Sequence, residues 1–176
     1  MPHLAAYVLA LLGAVGCEGR PTDVTVGEYA VTVPAVWKAK RDDPQRGHLT
    51  LVLAPEPATI LCRLEVIEGA GALGVEQADV FLTLARHDFP GGNERQVELR
   101  TKVGHLHGFA MRDAVEARQR DAPRERGGDR SEVEVYAGVV GGDLIAAVAG
   151  GWSDGAEGRD ERAACIGAIR SLRRAR

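Results

Sequence analysis

Few residues in this sequence are typed and spaced for chemistry. Gly151-Trp152-Ser153-Asp154-Gly155 has the glycine-x-serine-x-glycine spacing of a nucleophile elbow, where a serine sits on a sharp turn between a strand and a helix. A hydrolase of that kind places its catalytic histidine after the serine. Here His3, His48, His87, His105 and His107 all precede Ser153, and the sequence around the elbow reads as hairpins rather than as a parallel sheet. A glycine-rich loop ahead of the last helix accounts for the same residues. His105 and His107 are two apart, so on a strand both imidazoles point one way and could offer two ligands to a metal. No nearby cysteine or acidic cluster supplies a third ligand, and an exposed turn beside Gly104 and Gly108 is the competing reading. Asp113 shares strand parity with Phe109, Met111 and Val115. A carboxylate on an apolar face is an acid/base candidate, unless a bulge resets the parity. No phosphate loop, dinucleotide glycine pattern or zinc-finger spacing occurs, so neither a cofactor nor an enzyme is expected.

The remaining reactive residues are Cys17, Cys62 and Cys165. Cys17 ends a charge-free apolar run, residues 4–16, LAAYVLALLGAVG. A spanning helix needs about 20 such residues, whereas the apolar region of an export signal is shorter. Ala14 and Gly16 are small and lie where a signal peptidase needs small residues. Val15-Gly16-Cys17 resembles the end of the bacterial lipobox, with Ala14 in place of the usual Leu and only the α-amino group and His3 ahead of the run. That resemblance implies diacylglycerol on the Cys17 sulfur, cleavage before it and acylation of the new amine. Residues 1–16 are therefore expected to be a lipoprotein-type export signal, 17–23 a tether and 24–176 one domain. Plain secretion and a retained cytosolic amino terminus are the alternatives.

The 176 residues suffice for one core. With a net charge of −3 there is no basic surplus, which disfavours nucleic acid as a partner. Aromatics make up 5% of the chain and there are 22 glycines, which favours small side chains, tight turns and β structure. Tyr29, Val31 and Val33 alternate up to Pro34, and a polar loop runs from Lys38 to Gly47. Strands are expected over 48–54 and 58–68, with Ile60, Cys62, Leu64 and Val66 on one face. Val75, Ala78, Leu82, Ala85 and Phe89 recur at helical spacing, opposite Glu76, Gln77, Asp79, Thr83 and Arg86. Strands over 94–103 and 108–118 follow, then a charged loop over 119–130. Gly141-Gly142 between two β-rich runs is the clearest hairpin signal, and LIAAVAG, apolar on both faces, belongs at the centre of a sheet. A last helix is expected over 159–174, burying Ala164, Cys165, Ala168, Ile169 and Leu172. The expected architecture is α+β, an antiparallel sheet of about six strands with two main helices packed on it.

If the last helix packs on the face that holds Cys62, then Cys62 and Cys165 enter one layer. Export would supply the oxidising compartment for a disulfide, and lipidation of Cys17 would leave an even pair. Two buried thiols are the alternative.

The strand and corner "YAVTVPAVWK" (29–38), the central helix running to Pro90-Gly91 and the closing "CIGAIRSLR" (165–173) resemble the PsbP-like fold shared by DcrB-type bacterial lipoproteins. Such proteins are mostly non-catalytic accessory, adaptor or assembly factors. The resemblance implies a lipid-anchored envelope protein, on the extracytoplasmic side of its membrane, that binds or scaffolds another envelope protein. A cytosolic adaptor or chaperone of the same fold is the alternative, followed by an envelope hydrolase using Ser153.

Overall fold

The computed structural model describes residues 20–41, 46–54, 60–90, 93–112, 132–151 and 156–175. Two sheets and two helices make up these residues. The smaller sheet contains β1 (Thr22–Val26), β2 (Tyr29–Val33) and β10 (Arg173–Arg174), in the order β1-β2-β10. The larger contains β3 (Lys38–Arg41), β4 (His48–Ala54), β5 (Ile60–Ile67), β6 (Asn93–Arg100), β7 (His105–Arg112), β8 (Glu132–Val140) and β9 (Asp143–Gly151). Its order is β3-β4-β5-β9-β8-β7-β6, with every neighbouring pair antiparallel. The helices are α1 (Glu76–Asp88) and α2 (Ala156–Arg170), and a 3-10 turn, Ala70–Leu73, precedes α1.

The period-2 alternation of each strand divides the core into two layers. Leu51, Leu53, Cys62, Leu64, Val66, Ile145, Ala147 and Ala149 face α2 and the small sheet, where Val31, Val33, Ile169 and Leu172 meet them. Phe109, Met111, Val133, Val135, Ala137, Ala146 and Val148 face the other way, onto Ala78, Leu82, Ala85 and Phe89 of α1. β9 feeds both layers, as its doubly apolar sequence requires, and lies between β5 and β8. Gly141 and Gly142 turn the β8–β9 hairpin with positive φ of 60° and 94°, the pair that a type I′ turn needs. The Tyr29 hydroxyl lies 3.0 Å from the Val140 carbonyl oxygen and 2.8 Å from Asp143 Oδ2, which ties the small sheet to this turn.

The described residues form ten strands rather than about six. β3 lies in the expected polar loop: it is exposed throughout and carries Lys38, Lys40 and Arg41, so no alternation betrays it. β10 replaces the end of the expected last helix. The Ser171 Oγ donates to Ala168 O and accepts the Thr32 N–H at 2.7 Å, and the chain then pairs Arg173 with Ala30 and Arg174 with Tyr29. Val75 does not join the buried face of α1. It is the N-cap residue and 75% exposed. The β6–β7 turn falls at Thr101–Gly104, earlier than expected, because the Thr101 Oγ1 accepts the Val103 and Gly104 N–H groups and donates to Gly104 O. That shift places His105 and His107 on β7 instead of in a turn.

Candidate functional site

An open cleft of about 270 Å³ lies between α1 and the β6–β7 side of the larger sheet. One wall is Asp79, Leu82, Thr83 and Arg86, which share a side of α1 because they recur at helical spacing. Gln96 and Glu98 of β6 and His107 of β7 form the floor. In the ladder Glu98 stands directly opposite His107. The His107 Nε2 lies 3.0 Å from Asp79 Oδ1. A carboxylate only accepts, so Nε2 is the donor of this pair and Nδ1 faces away from it. The Arg86 Nε donates to Glu94 Oε1 at 2.9 Å, and its guanidinium lies over the Phe109 ring, 4.7 Å from the centroid.

The cleft thus offers a cation, an amide, an imidazole nitrogen and the Glu98 carboxylate. The His107–Asp79 pair has the base-and-orienter form found in nucleophilic catalysis. Among the described residues no serine or cysteine lines the cleft, and the Thr83 hydroxyl there donates to the Asp79 carbonyl oxygen at 2.8 Å. Each of these groups can hydrogen-bond a ligand that enters the cleft.

A second polar cluster lies on the face of the larger sheet that α2 covers. Arg95 reaches Glu132 Oε1 at 3.0 Å and Glu134 Oε1 at 3.1 Å, and Arg162 of α2 reaches Glu132 Oε2 at 2.7 Å. The buried Tyr136 hydroxyl donates to Glu134. Burial pushes the Tyr136 phenol upward, and the Glu134 carboxylate beside it adds to the shift. Every member has a partner, so the cluster locks α2 to the sheet.

The structure joins Cys62 of β5 to Cys165 of α2 in a disulfide, with Cα atoms 5.8 Å apart and both residues fully buried. His105 and His107 share the α1 face of β7, but only His107 enters the cleft. Among the described residues no group of three His, Cys, Asp or Glu is placed to hold a metal. Cys17, Asp113 and Ser153 lie outside the described residues. No described helix is long and apolar enough to cross a membrane. Asp79, Arg86, Gln96 and Glu98 were not singled out by sequence. The available signal was the polar side of α1, where Asp79, Thr83 and Arg86 recur at helical spacing beside the buried stripe.

No known family and no curated protein matches the chain. Its fold is similar to that of a crystal structure from Bacteroides thetaiotaomicron VPI-5482, with a TM-score of 0.50 and 13% identity over 90% of this chain and 49% of that one. The chain therefore spans about half the length of that structure. At this identity the likeness is one of fold alone: mixed α+β, largely antiparallel.

Proposed function

We propose that this chain is an exported domain of the cell envelope, anchored by lipid on Cys17, that acts without catalysis as a binding, accessory or scaffold protein. The observation that carries the reading is the Cys62–Cys165 disulfide. Such bonds form and persist in oxidising compartments and are rare where glutathione and thioredoxin keep thiols reduced. The pairing consumes the two core cysteines and leaves Cys17, at the end of its apolar run, as the thiol available to lipid. It counts against a cytosolic adaptor, which would need no such bond. The finer fold assignment belongs to the same proposal: a PsbP-like, DcrB-type domain, its α1/β6–β7 cleft meeting another envelope protein. Lipoprotein maturation adds three acyl chains, more than the two membrane signals that make anchoring stable.

The test is fractionation of the native host with intact-mass analysis. The protein should sediment with membranes and begin at an acylated Cys17, and Cys17→Ser should leave it in the soluble fraction. Retention of Met1 in the native protein would refute the reading.

A further inference from the structure

β6 ends the order of the larger sheet, so among the described residues one edge of it has no strand partner. It is eight residues long, and its pairing with β7 runs unbroken from Asn93↔Arg112 to Arg100↔His105, with no proline and no bulge. The strand at the other end, β3, has only four residues. Long, regular edges are templates for further pairing unless something blunts them.

The phase of the ladder shows which groups are free. The Thr101 N–H donates to the Gly104 carbonyl oxygen at 2.9 Å, which makes Thr101 and Gly104 a hydrogen-bonded pair. In an antiparallel ladder such pairs alternate. The main-chain groups of Asn93, Arg95, Val97 and Leu99 therefore turn toward β7, and those of Glu94, Gln96, Glu98 and Arg100 turn outward. All four outward residues are exposed, and Arg100 makes no ion pair among the described residues.

We propose that this edge is the seam of a twofold dimer, in which β6 pairs antiparallel with the β6 of a second copy about an axis at Val97. Charge selects the register. With the axis at Val97, Glu94 stands opposite the partner's Arg100, Arg100 opposite the partner's Glu94, and Gln96 opposite the partner's Glu98. Moving the axis to Gln96 sets Glu94 against the partner's Glu98, twice by symmetry. Moving it to Glu98 sets that carboxylate against its own copy. An axis at Leu99 again matches Glu98 with the partner's Arg100, but leaves most of the strand unpaired. Only the axis at Val97 combines overlap along the strand with opposite charges. It forms about eight main-chain hydrogen bonds and sets Val97 against the partner's Val97 as a non-hydrogen-bonded pair, with Cα atoms about 4.5 Å apart. Glu94 keeps Arg86 on one oxygen and has the other for the partner's Arg100.

The seam also completes the cleft. Gln96 and Glu98 form its floor, so in the dimer each cleft continues into its copy across the axis and gains a carboxylate and an amide from the partner. The proposal does not depend on the envelope reading, because association is measured on purified protein and attachment through Cys17.

Sedimentation equilibrium of the full chain in mild detergent should show a monomer–dimer equilibrium. Arg100→Glu, or Glu94→Arg, sets like charges opposite one another at two symmetric places and should weaken association by about tenfold or more. The double charge swap should restore it to within a few-fold of the original. Val97→Cys should form an intermolecular disulfide under mild oxidation and Asn93→Cys should not, since only the former meets its own copy at bonding distance. The proposal is overturned by a protein that stays monomeric at all concentrations, by a double swap that does not restore association, or by equal cross-linking at both positions. It is also overturned if a foreign strand, rather than a second copy, occupies the edge.

Discussion

Glu132 is held between two guanidiniums, Arg95 from the edge strand and Arg162 from α2. Burial alone would raise its carboxyl, but hydrogen bonding to Arg95 and the charge of Arg162 outweigh it and hold the pKa below the ordinary 4.5. Arg95 shifts upward in return, chiefly through its bond to Glu132, and stays charged throughout. The sign follows by linkage. Below pH 4.5 the unfolded chain takes up a proton on Glu132 that the folded chain resists, so the stabilisation is complete above that pH and is lost as pH falls through the folded-state value. Glu132→Gln should cost about 1.5–3 kcal/mol at pH 7, the usual size for hydrogen bonds to a charged group. It should also flatten the acid limb of a plot of thermal midpoint against pH. An acid limb unchanged in the variant would assign acid sensitivity to other carboxylates.

Strand packing at β7 depends on Gly108. A Cβ there would sit against the carbonyl oxygen of Val135 and 2.9 Å from the Tyr136 Cα, both main-chain atoms of β8 that cannot swing aside. Gly108→Ala must therefore part β7, the strand that carries His107, from β8. It should cost at least about 2 kcal/mol, in the range of overpacking. Gly167 of α2 is the contrasting case: apart from its chain neighbours and its own helix's backbone, no atom lies within 4 Å of its would-be Cβ. Gly167→Ala should stabilise by up to about 1 kcal/mol, because alanine is the better helix former. Urea midpoints of the two variants should move in opposite directions. Movement in the same direction would show that the β7–β8 contact is not what makes Gly108 necessary.

At the scale of the molecule, the Cys62–Cys165 bond spans 103 residues and fastens α2 to the middle of the larger sheet. Most of the chain lies inside that loop, so the crosslink restricts the unfolded ensemble strongly. Removing such a bond from a native protein costs about 2–5 kcal/mol. The Cys62→Ser/Cys165→Ser chain should unfold at clearly lower denaturant than the oxidised protein, and reductant should lower the oxidised protein's midpoint toward it. Thiol counting on unfolded native protein should find neither core cysteine free. Two reactive thiols there would remove the main support for an exported location.

The sequence by itself determined the elements whose own residues carry the signal. The apolar spacing of Ala78, Leu82 and Ala85 marked α1, and Gly141-Gly142 between two β-rich runs marked the central hairpin. The alternation that put Cys62 with Leu64, and the helical face that put Cys165 with Ile169, already aimed both sulfurs into one layer. Tertiary structure decided what depended on partners far along the chain. β3 has no apolar face and is a strand only because Leu51–Ala54 offers it a ladder. The last helix stops at Arg170 because Ser171 and the two arginines after it find partners on β2, near residue 30. The cleft follows the same rule: Asp79, Glu98 and His107 are local choices on three elements, and no local pattern says that α1 will lie beside β7. Periodicity reports which side of an element is buried. It does not report what that side will meet.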